Sequence, residues 1–158
     1  MNATTTPDLG ASQSQASRKK SAVKKAVFAT ACASVLMFSL AGLYTGVLAQ
    51  ALISARVDPA VVRPVPNLPL VACGYAFLAL LMALLYPKLM QRRASPALAG
   101  LSFGMMTGIC WMMPYSLVLF GVYRFPYAVL PLDFAWTLVE QGIGGLVVGL
   151  IYGKSQEL

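Results

Sequence analysis

The chain has 158 residues, of which 58% are hydrophobic and only 11% charged, with a mean hydropathy of +0.71. A soluble domain of this length covers its core with about 25% charged residues, so the composition excludes an ordinary water-soluble globule. The net charge of +7 is no argument for nucleic-acid binding, because the cations gather beside apolar stretches, where anionic lipid headgroups are the natural partner.

Residues 1–25 are rich in Ser, Thr, Gln and Ala, lack apolar periodicity, and end in Arg18, Lys19, Lys20, Lys24 and Lys25. This composition predicts a disordered, basic tail. The same cations followed by an apolar run also resemble the start of a signal peptide. An apolar signal region is usually about 7–15 residues long, however, and the run beginning at Ala26 is nearly twice that.

Four stretches follow in which the only Asp, Glu, Lys or Arg is Glu140: residues 26–53, 68–86, 98–122 and 134–152. A bilayer core about 30 Å thick requires about 20 helical residues. Backbone groups in hydrocarbon must also be satisfied within their own segment. The expected fold is therefore all-α, an integral membrane bundle of four transmembrane helices over 26–153, with a short tail at 154–158. Packed β-sheets would require short alternating runs, and none is present.

Lys and Arg near the span ends set orientation. Nine of them (the five in the N-terminal tail, with Lys88, Arg92, Arg93 and Lys154) fall on one side, against Arg56, Arg63 and Arg124 on the other. This count predicts both termini on the cytoplasmic side, in a multi-pass protein whose size and charge pattern suit a bacterial inner membrane. The first connection, residues 54–67, holds three prolines and is expected to be extended. The third, residues 124–133, with Tyr123 before it, carries Phe125, Tyr127 and Leu130, which suit the headgroup region.

Lipid tails are as apolar as leucine, so helices in a bilayer associate by close backbone contact and interhelical hydrogen bonds. Small residues at four-residue spacing mark the expected seams: Gly42 and Gly46, then Gly100, Gly104 and Gly108, then Gly145, Gly149 and Gly153. The second span has Ala72 with Ala76, and Ala79 with Ala83. On an ideal helix the stripe of the third span continues through Trp111 and Tyr115. The phrase LAGL at 40–43 and 98–101 falls at different depths in its two spans, so it does not indicate a duplicated unit.

The chain has no histidine, which removes the commonest general base and metal ligand. Its three cysteines, Cys32, Cys73 and Cys110, lie on different spans, so neither a zinc site nor a redox pair is expected. Met105, Met106, Met112 and Met113 read as gap-fillers. No cofactor or metal is expected, and no enzyme.

Glu140 is the exception. A carboxylate at the bilayer centre costs about 2.5–3.5 kcal/mol on insertion scales, so such a group faces protein or water. Counted from Phe134, Glu140 lies about 9 Å inside its span, sharing a face with Asp133, Trp136 and Thr137. At a similar depth the other helices offer Tyr115, Tyr75 and Thr45. These four residues form the candidate proton or cation site, with a carboxyl held neutral among hydroxyls. The functional expectation is an accessory or structural membrane protein, as a homo-oligomer or beside a membrane-protein partner. The alternative is a proton-coupled small transporter or channel using Glu140.

Overall fold

The computed structural model describes residues 9–51, 55, 60, 63, 65–90 and 95–153 and, of residues 9–12, the backbone only. Its regular structure is helical throughout. Four helices are long and apolar enough to cross a membrane: Gln13–Leu48, Leu68–Leu89, Pro96–Val122 and Tyr127–Gly153. The tail at 154–158, Arg56, Arg92 and Arg93 lie outside the described residues.

Helix α1 runs over Leu9–Leu43 and ends in a wider π turn, Tyr44–Leu48. Residues 9–25, expected to be disordered, are helical instead. Their side chains from Gln13 to Lys24 are exposed, so burial does not hold this segment in shape. Ala, Gln, Lys and Arg are good helix formers, and extending an existing helix avoids the cost of nucleation.

Helix α2, Leu68–Leu89, starts where the Asn67 carboxamide oxygen accepts from the Leu70 N–H at 3.2 Å, with Pro69 in the first turn. Helix α3, Pro96–Thr107, starts likewise at Ser95, whose hydroxyl accepts from Leu98 N–H at 3.5 Å, with Pro96 behind it. Both are polar N-caps followed by the proline that a first helical turn tolerates. A second π turn, Gly108–Met112, joins α3 to helix α4, Met113–Val122. Pro114 accounts for it: the ring has no N–H to give and would strike the carbonyl four residues back in a regular helix, and a wider turn relieves both. A 3₁₀ turn at Tyr127–Val129 leads into helix α5, Leu130–Gly153. The expected ten-residue connection is thus mostly helical, because Pro131 sits in a first turn instead of breaking one.

The helices alternate in direction. Their distal ends lie near Leu48, Leu68, Val122 and Leu130, and their proximal ends near Leu89, Pro96 and Gly153. Hydroxyls on the helices bond back to their own turns: Thr30 to Ala26 O, Ser39 to Val35 O and Thr45 to Ala41 O, each at 2.8 Å. They leave no polar group seeking a partner on an apolar face.

Helix α5 is the hub. On one side it meets α3 glycine to glycine. A Cβ on Gly100 would stand 2.9 Å from Gly149 Cα, one on Gly104 would stand 2.8 Å from the Gln141 carbonyl carbon, and one on Gly145 would stand 2.6 Å from Gly104 Cα. On another side Gly144 receives Met37 of α1, which is fully buried with Ala29 and Ala33. At the proximal end α2 is tied in by Tyr152 Oη, which donates to Ala83 O at 2.8 Å, and by Tyr86, edge-on to Phe103.

Two expected seams are absent. Gly42 and Gly46 have nothing within 4 Å of an added Cβ. The close approach of α1 is made by Ala29, Ala33 and Met37, and Gly42 lies about 140° further round the helix. The third span's stripe does not continue to Trp111 and Tyr115, both more than half exposed. The π turn adds a residue to the period, so Ser116 turns inward in place of Tyr115.

Candidate functional site

Glu140 sits ten residues into α5, about 15 Å from its start at 1.5 Å per residue and deeper than a helix beginning at Phe134 would put it. It is buried, 5% exposed. Three groups meet its carboxyl. Trp136 Nε1, one turn earlier on α5, donates to Oε2 at 3.2 Å, and Gln141 Nε2 donates to Oε1 at 3.1 Å. From α2 Tyr75 brings its hydroxyl near the same carboxyl, close enough for the two groups to interact electrostatically.

Helix α1 holds two of these partners in place without touching the carboxyl through a polar atom. The Tyr44 ring stacks on Trp136 at 4.8 Å with 10° between planes, and Phe38 meets Tyr75 edge-on at 6.2 Å. Three helices therefore converge on one carboxyl. Gln141 is 0% exposed, and its Oε1 is the buried side-chain oxygen that finds no partner among the described residues. Turning the amide over would set its oxygen against the Glu140 oxygen, so the orientation with Nε2 toward Glu140 is the better of the two.

Of the residues expected around Glu140, Tyr75 reaches it, and Tyr115 and Thr45 do not. Those two line a separate distal cleft of about 310 Å³ with Tyr44, Ser116 and Asp133. The division has two causes: α5 begins earlier, which lowers Glu140 by about 6 Å over four residues, and the π turn rotates Tyr115 outward. A second cleft of about 560 Å³, between α2 and the α3–α4 rod, is lined by Tyr75, Trp111 and Tyr115 among apolar groups. Glu140 lines neither.

Sequence reasoning missed Gln141, because a residue adjacent to Glu140 points elsewhere on an ideal wheel; an uncharged amide within an apolar span was its signal. Among the described residues no three His, Cys, Asp or Glu side chains gather to hold a metal. The glycines expected to pack do so at Gly100, Gly104, Gly108, Gly145 and Gly149. No family model, no curated protein and no solved structure matches the chain.

Proposed function

We propose that this is an integral membrane protein with four transmembrane helices, both termini in the cytoplasm of a bacterial cell and the bundle in the inner membrane, acting as an accessory or structural component without enzymatic chemistry. The observation that supports this reading is the closure of Glu140: its carboxyl is buried, engaged by Tyr75, Trp136 and Gln141, and lines neither cleft. A carboxyl bonded within its own helix and approached from α2 by Tyr75 holds this face of the bundle together. The α1 face of Gly42 and Gly46, which meets nothing within 4 Å of an added Cβ, would serve assembly with a second copy or another membrane protein, and the basic residues from Arg18 to Lys25 would meet anionic headgroups.

A second reading, proton-coupled transport, draws on two observations. Tyr75 interacts with Glu140 and also lines the larger cleft, which brings the carboxyl near open space. Gln141 Oε1, which has no partner with Nε2 turned to Glu140, would gain a donor if a proton on the carboxyl turned the amide over, so protonation would be coupled to the amide's orientation. Proteoliposomes carrying an internal pH-sensitive dye decide between the readings. The accessory reading expects no proton movement above protein-free vesicles under an imposed potential. Movement that Glu140→Gln abolishes, at equal reconstituted amounts, would establish the carrier.

A further inference from the structure

The distal cleft is a different place from the Glu140 node and has a different chemistry. It lies between the end of α1, the α4 helix and the start of α5, and is walled by Tyr44, Thr45, Tyr115, Ser116, Asp133 and Phe125 with a few aliphatic neighbours. Its volume of about 310 Å³ is at the lower end of the roughly 300–1,000 Å³ that ligand pockets occupy. Asp133 is half-buried there, and no cation among the described residues pairs with it.

We propose that this cleft binds a primary ammonium group carried on an apolar stem. Asp133 supplies the one carboxylate, and a charge-assisted hydrogen bond to it is the strongest contact the site can offer. Three hydroxyl-bearing residues, Thr45, Ser116 and Tyr115, line the same cleft and are chemically able to accept from the remaining N–H groups. Thr45 already donates its own hydrogen to Ala41 O at 2.8 Å, so its oxygen faces a ligand purely as an acceptor, and Ser116 and Tyr115 add two further hydroxyls. The aromatic walls attract a cation through their π faces and cover an apolar stem. A bare divalent metal is a poor occupant: calcium takes about 6–8 oxygen ligands, whereas this cleft holds a single carboxylate among mostly apolar groups.

The proposal does not depend on what Glu140 does, and its test keeps the two apart. Full-length protein in detergent micelles is titrated with 2-phenylethylammonium, with neutral 2-phenylethanol and with the trimethylated quaternary analogue, binding being followed calorimetrically. The expected result is saturable binding of the primary ammonium, none of the alcohol, and weaker binding of the quaternary ion, which has no N–H to donate. Asp133→Asn should weaken the primary ammonium at least about tenfold, the scale of a lost hydrogen bond to a charged group, while Glu140→Gln leaves it within a factor of about two. The comparison of ligands on the wild-type protein stands even if a variant folds poorly, which helical circular dichroism would reveal. Absence of saturable binding, equal binding of alcohol and ammonium, or binding untouched in a folded Asp133→Asn protein would overturn the proposal. Tighter binding of the quaternary ion would overturn the hydrogen-bonding geometry and with it the assignment to a primary amine.

Discussion

The two sides of α5 are built on different physics. Toward α3 the contact is backbone on backbone: Gly145 and Gly149 lie against Gly100 and Gly104 so closely that a single methyl group has no room. Toward α1 and α2 the contact is made by side chains, with Met37 against Gly144, Tyr44 stacked on Trp136, and Tyr75 set near Glu140. A backbone seam cannot adapt, because its atoms are fixed by the helices themselves. A side-chain seam can repack, and gaps open where helices diverge: the smaller cleft reaches the start of α5, whereas the larger lies between α2 and the α3–α4 rod. The lesson is that the glycine side leaves no room for change, whereas the side-chain side does.

The largest effect is expected at the glycine seam. Gly104→Leu would drive a side chain into the Gln141 carbonyl; overpacking costs about 1–3 kcal/mol and occasionally more, and with backbone on the opposing side the upper end applies. Gly42→Leu, which meets nothing within 4 Å, should stay within about 0.5 kcal/mol of wild type. Unfolding in mixed micelles with rising dodecyl sulfate measures both. Equal losses would show that the two glycine pairs do not differ as the structure has them.

On the side-chain face the effects are smaller and graded by how many donors are stranded. Glu140→Ala leaves the Trp136 and Gln141 N–H donors without their acceptor, and a buried unsatisfied group costs about 1–3 kcal/mol. Glu140→Gln keeps one acceptor oxygen and the size of the side chain, so its loss should be no more than half as large in the same unfolding titration. The smallest change is Tyr75→Phe, which removes a hydroxyl near the Glu140 carboxyl, an interhelical polar contact worth at most about 0.6 kcal/mol, and keeps the ring against Phe38. A Tyr75→Phe loss exceeding that of Glu140→Ala would mean that the α2 contact, not the carboxyl, organises this face.

Much of this comparison was legible in the residues. Charge-free length alone located four helices, and glycine spacing marked the faces of α3 and α5 that pack, although not that they pack against each other. Less legible was helical phase. Pro114 signals a break in the third helix, but the size of the rotation depends on how the chain absorbs the missing N–H, and a one-residue π turn was enough to exchange Tyr115 for Ser116 on the buried face. Helix starts were also displaced, since Pro131 and Asp133 read as loop residues while a first turn accommodates both. These small shifts decided the candidate site: Glu140 kept Tyr75, and Thr45 and Tyr115 went to Asp133. The α1 seam was misread for a simpler reason, that alanine permits nearly the same approach as glycine.

Whether the Glu140 node is sealed while the Asp133 cleft is open is tested most directly by thiol accessibility. In a background where Cys32, Cys73 and Cys110 are replaced by alanine, Glu140→Cys and Asp133→Cys proteins in membranes are treated with a small water-borne methanethiosulfonate reagent, and labelling rates are compared. The account predicts rapid modification of the Asp133→Cys thiol and none of the Glu140→Cys thiol until the bundle is unfolded. Equal labelling of both in the folded protein would mean that water reaches the carboxyl, contradicting the sealed node and the accessory reading built on it.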